Sequence, residues 1–239
     1  MSQDSDLLEA DTFRAQIAQA IRDQKDWSGI VMAEVARVLK EGGDWCDIVK
    51  AQALTALVIG FRPRKICEIG VWMGGSMIPM LLGLAALEVV EHLLEKDTPR
   101  RATAIDAWSI DESCLGQASD DQAWWHAQSH LQAKEAFLAR LAKHRLTAMC
   151  DVIHQPSDSV DPPGHGIELL HIDGNHGEQA IRDVERFATR VDLGGILVMD
   201  DLAWSGGHVT RARDRAMDLG FRRLYPLGTG EVLQRIHLR

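Results

Sequence analysis

The sequence predicts an α/β protein in which a mostly parallel, seven-stranded sheet carries helices on both faces and follows a helical cap. From residue 65 onward, short apolar runs alternate with helical segments, a pattern typical of parallel sheets covered on both sides. Four of the strand-like runs stop at or near carboxylates, which would place those acids along one edge of the sheet. The residues before the first strand show only helical spacing.

Helical spacing dominates residues 5–60. Apolar residues recur at helical intervals in two stretches of this region, and a third helix is expected near residues 46–58. No strand-like run occurs there. We therefore predict an N-terminal helical cap at residues 1–60 and a second domain at residues 61–239.

Strand-like runs and helical segments alternate along the second domain. The strands are predicted at residues 65–69, 102–105, 151–154, 167–172, 196–199, 221–226 and 231–237. The helices between them are predicted at residues 76–95, 127–143, 178–190 and 207–219. Residues 109–126 are polar and are expected to be irregular. Gly194-Gly195 is expected to turn the chain into the fifth strand, and Gly228-Thr229-Gly230 to join the last two strands as a hairpin.

Charge, apolar stretches and cysteine spacing limit the classes of protein to which the chain could belong. The net charge of −9 argues against nonspecific binding to nucleic acid or to an anionic membrane. The apolar stretch at residues 77–87 is too short for a membrane span. The N-terminus has no apolar signal-peptide region, and the four widely spaced cysteines form no CxxC pair. A reducing compartment fits this pattern, so we predict a cytoplasmic protein.

A glycine-rich turn follows the first predicted strand and opens a helix. It reads Glu68-Ile-Gly70-Val-Trp-Met-Gly74-Gly75-Ser76. Glycines allow a close approach between backbone and ligand, and the free N–H groups of a helix N-terminus suit an anionic group. The spacing differs from the dinucleotide GxGxxG. A tight strand–helix turn without a ligand explains the same residues equally well.

The second predicted strand ends at Asp106. A carboxylate at this place can accept hydrogen bonds from both hydroxyls of a ribose, as in nucleotide-binding Rossmann folds. Taken alone, this residue is more simply explained as a loop or capping aspartate.

Three carboxylates cluster at the ends of the fourth and fifth strands: Asp173, Asp200 and Asp201. Their oxygens suit Mg²⁺, Mn²⁺ or Ca²⁺ rather than zinc, and a cation would relieve their mutual repulsion. Solvated loop acids are an equally good reading. His171 is expected to be a hydrogen-bonded strand histidine rather than a ligand. His176 is the better candidate for a general base, because histidine titrates near neutrality.

Other candidates carry a weaker signal. Ser157 could contact an adenine or form a turn, and Trp72, Trp108 and Trp204 could line a pocket or pack in the core. No GxSxG, HExxH or Walker A motif is present, so hydrolase and nucleotide-triphosphatase functions gain no support.

The ordered set EIGxxxGxS, AIDAW, HIDGNH and GGILVMDD resembles class I S-adenosylmethionine-dependent methyltransferases. The likeness is greatest to the metal-dependent O-methyltransferases of macrocin and mycinamicin sugars and to cephalosporin-hydroxylase-like proteins, and it covers about residues 60–236. It implies a Rossmann-like class I methyltransferase fold. The cofactor-binding residues that the resemblance and the pattern together suggest are Glu68, Gly70, Gly74, Ser76, Asp106, Trp108, Ser157 and Asp173. Among them, Ser76 would contact the cofactor's carboxylate and Asp106 its ribose.

Catechol O-methyltransferases look similar at the same points. They place a metal-binding aspartate after the fourth strand and an acidic/amide pair after the fifth, positions that match Asp173, Asp200 and Asp201 here. Their catalytic lysine stands where this chain has His176, which argues against a close catechol enzyme and agrees with the sugar methyltransferases.

The predicted function is therefore S-adenosylmethionine-dependent methylation of a small-molecule hydroxyl, with Mg²⁺ or another divalent cation and His176 as the base. One alternative is a metal-independent methyltransferase, and another is a cofactor-binding module without catalysis. A nicotinamide dehydrogenase shares the architecture, but the glycine spacing counts against it. A homo-oligomer is suggested by the resemblance alone.

Overall fold

A computed structural model describes residues 3–42, 45–96, 99–164 and 166–237, and for residues 3–11 only the helical backbone. Two compact units divide the chain. The helical unit comprises Met1–Arg64, Met73–Arg101 and Glu135–Asp151, and the sheet unit comprises Lys65–Trp72, Ala102–Lys134 and Val152–Arg239.

The helical unit contains α1 (Gln3–Arg22), α2 (Ser28–Leu39), α3 (Ile48–Phe61), α4 (Met77–Leu93) and most of α7 (His130–Lys143). The first three confirm the predicted N-terminal helices, while a domain boundary at residue 60 stays a prediction. Asp47 caps α3 by accepting a hydrogen bond from Lys50 N at 2.9 Å. Most of α4 is buried, as its nearly unbroken apolar sequence predicts.

Buried polar contacts hold the helical unit together. Arg140 donates from Nη1 to Met73 O at 2.9 Å and from Nη2 to Val38 O at 3.3 Å. Gly74 has a φ of +85°, and a Cβ there would lie 2.6 Å from Cδ2 of Phe137. Glycine at position 74 is therefore explained by close packing against this aromatic ring.

The strands form one seven-stranded sheet in the order β3-β2-β1-β4-β5-β7-β6. Their ranges are β1 Lys65–Ile69, β2 Arg101–Asp106, β3 Cys150–His154, β4 Ile167–Ile172, β5 Val191–Met199, β6 Phe221–Leu227 and β7 Gly230–Arg235. Strand β4 pairs in parallel with β1 and β5, whereas β7 is antiparallel to both β5 and β6. This confirms the predicted fold class, a mostly parallel sheet that ends in a hairpin.

The register of the central strands separates two faces. Cys67 pairs with Leu170, which pairs with Leu197, and all three belong to the apolar core that α8 (Glu178–Phe187) and α9 (His208–Asp218) share. Glu68 pairs with His171, one residue along each strand. Because side chains alternate between faces, Glu68 and His171 point away from that core.

Two local predictions are wrong. Residues 109–126 contain two short helices, α5 (Ile110–Cys114) and α6 (Ser119–His126). Neither has a buried residue, so no apolar periodicity reveals them. Strand β5 begins at Val191 rather than after Gly194-Gly195, which lies inside it at a register shift opposite β4. Over the residues described above, no helix combines the length and apolar character needed to cross a bilayer.

Candidate functional site

Four central strands of the sheet unit end on one edge. Backbone hydrogen bonds continue past the strand ends, from Gly70 N to Ile105 O at 2.9 Å and from Asp173 N to Ile69 O at 2.8 Å. Asp200 N likewise donates to Ile172 O at 3.1 Å. The residues that follow β2, β1, β4 and β5 are thus adjacent, as expected for the carboxyl edge of a parallel sheet. We call this edge the rim.

Gly70 is fixed by the chain itself. Its φ is +83°, and a Cβ would lie 2.1 Å from Asp173 O and 2.5 Å from Cα of Gly174. Only glycine permits this contact between the turns after β1 and β4. The structure therefore explains Gly70 by contact with backbone, and a close approach to a ligand at this position stays a prediction.

Asp106 accepts three backbone hydrogen bonds. Oδ2 receives those of Val71 N and Trp72 N, both at 2.8 Å, and Oδ1 receives that of Trp108 N at 2.6 Å. Burial raises the pKa of Asp106, and the three N–H donors oppose that rise. A carboxylate offers about four acceptor positions, so about one remains, on Oδ1.

Trp72 and Trp108 complete this side of the rim. Both have positive φ, 50° and 40°, a backbone conformation that costs free energy in residues other than glycine. The Trp108 indole is 6% exposed and donates from Nε1 to Trp72 O at 2.9 Å. The predicted cofactor contact of Trp108 remains a prediction, and its visible role is to join the turns after β1 and β2.

Carboxylates and histidines gather at the ends of β4 and β5. Two groups have potential ligand atoms within 4.8 Å of one another: His171 with Asp173 and Asp200, and Asp173 with His176 and Asp201. Asp173 belongs to both. The structure therefore brings the three predicted acids to one place, and adds a histidine on each side.

His171 is completely buried, and its Nδ1 lies 2.7 Å from Oε1 of Glu68, which is equally buried. Its other ring nitrogen, Nε2, has no hydrogen-bond partner. The expectation of a satisfied strand histidine is thus correct for one nitrogen only. Glu68, predicted to contact a cofactor, is engaged with this ring, and a cofactor contact stays a prediction.

His176 lies in the turn after β4 and is 7% exposed. Its ring stacks on Trp204 with centroids 4.1 Å apart, and its Nε2 lies 3.3 Å from Oδ2 of Asp201. Neither ring nitrogen makes a hydrogen bond within the described chain. The aromatic contact orients the imidazole without occupying its nitrogens.

The β6–β7 turn positions the acid pair. The Thr229 hydroxyl lies 3.0 Å from Oδ1 of Asp200 and 3.1 Å from Oδ1 of Asp201. Asp201 N also donates to Oδ1 of Asp200 at 2.9 Å, and Asp201 has a positive φ of 49°. Strain at this position is typical of functional sites.

Helices α5 and α6 are fastened to the rim by Asn175. Its Nδ2 donates to Glu112 O at 2.7 Å and to Leu115 O at 2.9 Å. Its Oδ1 accepts from Gln117 Nε2 at 3.1 Å, and Gln117 Oε1 accepts from Trp204 Nε1 at 3.2 Å. The sequence analysis missed Asn175 and Gln117, since an asparagine in a Gly-Asn turn looks like ordinary turn chemistry.

The remaining predicted cofactor residues are Ser157, Gly74 and Ser76. Ser157 is in a 3₁₀ turn, 8% exposed, and its hydroxyl accepts from Gln179 Nε2 at 3.0 Å. Gly74 and Ser76, which is 5% exposed at the start of α4, belong to the helical unit. A cofactor contact at these three positions remains a prediction.

Comparison with known proteins adds independent findings. A family described as "Methyltransferase domain" matches residues 67–202. No curated protein matches the sequence. Similar solved structures include the O-methyltransferase NovP, with 18% identity and a TM-score of 0.61 over 97% of this chain and 100% of that one.

Two further structures are similar at lower scores. One is the O-methyltransferase TomG from Streptomyces achromogenes in complex with S-adenosylmethionine, with 15% identity and a TM-score of 0.56 over 86% of this chain and 89% of TomG. The other is an O-methyltransferase from Bacillus cereus in complex with S-adenosylhomocysteine, with 15% identity and a TM-score of 0.52 over 95% and 100% of the two chains. These likenesses show the fold.

The family match covers the whole rim from β1 to the acid pair. It spans more than half of the 239 residues, including Gly70, Asp106, Asp173, His176 and Asp200. The resemblance to class I methyltransferases that the sequence suggested is confirmed. The chain belongs to this methyltransferase domain family, and the protein is a methyltransferase.

Proposed function

We propose that the protein methylates a hydroxyl of a small molecule, such as a sugar or natural product, with S-adenosylmethionine as the methyl donor. In this proposal Asp173, Asp200 and Asp201 hold a divalent cation and His176 is the general base. The observation that carries it is the pair of overlapping carboxylate–histidine groups at the rim, which share Asp173.

The names of the similar structures favour oxygen as the acceptor atom and S-adenosylmethionine as the donor. NovP, TomG and the Bacillus cereus protein are O-methyltransferases, and two of them were solved with S-adenosylmethionine or S-adenosylhomocysteine. S-adenosylmethionine, when bound, supplies a methyl group attached to a positively charged sulfur.

The β1–β2 side of the rim would hold this cofactor. Asp106 has about one acceptor position left on Oδ1, which suits a ribose hydroxyl. The family resemblance would assign Trp108 and Ser157 to the same cofactor, and would assign Glu68, Gly70, Gly74 and Ser76 to its methionine end. These assignments follow the family resemblance.

The β4–β5 side fits a divalent cation. Carboxylate oxygens are the preferred ligands of Mg²⁺ and Mn²⁺, and Asp200 is only 3% exposed. Several acids so close together repel one another, which a cation would relieve. A cation at this place supplies Lewis-acid chemistry, lowering the pKa of a nearby hydroxyl.

His176 would take the proton of the acceptor hydroxyl. Its ring nitrogens make no hydrogen bonds within the described chain, and Trp204 holds the ring by stacking. The carboxylate of Asp201, 3.3 Å from Nε2, stabilises the positive charge that the ring would gain. Low exposure of the ring keeps bulk water from competing for this nitrogen.

Calorimetric titration tests the proposal in steps. Wild-type protein should bind S-adenosylmethionine and S-adenosylhomocysteine, and should bind Mn²⁺ or Mg²⁺ in a separate titration. Asp201→Asn removes one charge from the cation site without touching Asp106, so it should weaken cation binding and preserve binding of S-adenosylhomocysteine.

Three results would count against the proposal. Absence of cofactor binding contradicts methyl transfer from S-adenosylmethionine. Activity that survives exhaustive chelation would establish the metal-independent alternative. Cofactor binding without cation binding, and with no product from a panel of hydroxyl acceptors, favours a module without catalysis.

A further inference from the structure

We infer that His171 is a further, nitrogen ligand of the rim's cation, so that the site is a mixed nitrogen–oxygen centre in which His171 joins Asp173, Asp200 and Asp201. This inference rests on the cation in the proposed function and extends it. It assigns a role to a buried histidine that the proposed proton transfer does not use.

The strand register points His171 toward the two acids. Side chains alternate along a strand, so His171 and Asp173 share one face of the β4 path. Ile172 pairs with Met199, which makes Asp200 the neighbour of Asp173 across the next strand. One ligand atom from each of the three residues lies within 4.8 Å of the others.

Burial makes the orientation of the ring informative. His171 is fully buried, and its Nε2 has no hydrogen-bond partner in the described chain, although buried polar groups are nearly always paired. A cation held by Asp173 and Asp200, whose ligand atoms lie within 4.8 Å of a nitrogen of this ring, would give Nε2 the partner that it lacks in the described chain.

Glu68 selects the tautomer that such a ligand needs. An ionised carboxylate can only accept, so the hydrogen in the 2.7 Å contact belongs to Nδ1 of His171. In the neutral ring, Nε2 then carries the lone pair that is available to a cation. A carboxylate that orients a histidine in this way is common behind metal ligands. Glu68 is therefore a positioning residue.

The donor set changes the expected metal. Carboxylates and water suit Mg²⁺ and Mn²⁺, whereas an imidazole nitrogen favours later first-row metals such as Fe²⁺, Co²⁺ or Zn²⁺. With a nitrogen ligand beside the carboxylates, we expect tighter binding of Co²⁺ than of Mg²⁺. Replacement of His171 should reduce that preference.

Electron spin-echo spectroscopy of the Mn²⁺-loaded protein tests the inference directly. Wild-type protein should show coupling to ¹⁴N, and ¹⁵N-labelling of histidine should convert that signal to ¹⁵N. His176→Asn removes the other histidine of the rim and should keep the coupling. His171→Asn should lose it, with Mn²⁺ affinity reduced at least about tenfold.

A second variant keeps the inference testable if His171→Asn does not fold. Glu68→Gln keeps an acceptor for Nδ1 but removes the charge, so Mn²⁺ affinity should fall by about 10–100-fold while a cooperative thermal unfolding transition shows that the fold is kept. Mn²⁺ binding without any histidine coupling, or coupling that disappears only in His176→Asn, overturns the inference and leaves the proposed cation intact. Absence of Mn²⁺ binding overturns both, and calorimetry with S-adenosylhomocysteine then decides separately whether methyl transfer remains supported.

Discussion

The polar side chains on the two sides of the rim differ in whether they are hydrogen-bonded within the described chain. After β1 and β2, the polar atoms serve the fold, since Asp106 accepts three backbone N–H groups and Gly70 lies against Asp173 O. After β4 and β5, the ring nitrogens of His176 and the Nε2 of His171 make no hydrogen bond within the described chain. On the β1–β2 side most of these polar atoms are paired with backbone, whereas on the β4–β5 side three buried ring nitrogens make no hydrogen bond in the described chain.

A residue that belongs to the sequence motif is therefore not necessarily a residue that contacts a ligand. The glycine turn and Asp106 belong to the pattern that resembles the family, yet most of their geometry is explained by contacts between adjacent turns. The histidines gave a weaker signal in the sequence, and they hold the buried nitrogens without hydrogen-bond partners. Variants of each side should therefore differ in kind, with loss of folding on one side and loss of chemistry on the other.

The largest expected effect is that of Gly70→Ala. A Cβ 2.1 Å from Asp173 O cannot be accommodated by a rotamer change, because both sides of the contact are backbone. We expect destabilisation of about 4 kcal/mol or more, enough to prevent folding of many proteins. Thermal unfolding monitored by circular dichroism would measure it.

Gly194→Ala is the matched control. Gly194 has nearly the same backbone conformation, with a φ of +84°, but a Cβ there meets nothing within 4 Å. It should cost only the roughly 1–2 kcal/mol of a left-handed non-glycine residue. Equal destabilisation by the two variants would show that conformation alone, rather than contact with Asp173, requires the glycine.

His176→Ala should leave the fold intact and remove chemistry. With any acceptor that the wild-type protein methylates, turnover should fall by roughly 10²–10⁴-fold, the usual contribution of a general base. Binding of S-adenosylhomocysteine should be unchanged, because the ring's contacts with Trp204 and Asp201 lie on the β4–β5 side of the rim. Steady-state turnover and calorimetry on the same preparation would separate the two.

His208→Ala provides the comparison for that loss. His208 also lies close to a carboxylate, with Nδ1 3.2 Å from Oε1 of Glu178, but it begins α9 and belongs to neither of the two rim groups. Its replacement should leave turnover near the wild-type value. If His176→Ala were no slower than His208→Ala, the proton would have another acceptor.

The architecture was largely predictable from the sequence. The alternation of strands and helices, the final hairpin and the meeting of Asp173 with Asp200 and Asp201 all follow from apolar periodicity and from the geometry of parallel sheets. These features depend on properties that each segment carries by itself, so one sequence suffices to find them.

The side-chain pairings could not be predicted in the same way. Glu68 and His171 pair across two strands that lie far apart in the chain. The sequence signals this pairing only by placing a polar residue in each apolar strand. Glu68 stands two positions before Gly70, and His171 two positions before Asp173. Asn175 binds carbonyls of α5, a helix without a buried residue. Such contacts depend on strand register and loop docking, which a local pattern does not specify.

Asp183 is a buried carboxylate that belongs to neither side of the rim, so it can be compared with the acids of both sides. It lies on α8, fully buried, and accepts from Gln179 Nε2 at 2.8 Å. Burial raises its pKa from 3.8 to about 6; hydrogen bonds from Ser157 and Gln179 oppose the rise, and the charge of Asp158 adds to it. Asp106 shows the same direction but has three backbone donors to oppose it.

The sign of the resulting pH dependence follows from linkage. Between pH 4 and 6 the folded protein binds more protons at Asp183 than the unfolded chain, so the free energy of unfolding falls as the pH rises through this window. A shift of about two units corresponds to about 3 kcal/mol. Asp183→Asn cannot ionise, so it should be up to about 3 kcal/mol more stable than wild type at pH 7.5, with a small difference at pH 4.

Denaturant unfolding at pH 4, 6 and 7.5 would measure this effect against Glu185→Gln, which removes a carboxylate from the same helix. Glu185 contacts Arg215 and its side chain is 44% exposed, so its loss should cost no more than about 1 kcal/mol. A difference between Asp183→Asn and wild type that is the same at all three pH values would mean that Asp183 does not titrate in this window. The hydrogen bonds from Ser157 and Gln179 would then stabilise the Asp183 carboxylate as effectively as the three backbone donors stabilise that of Asp106.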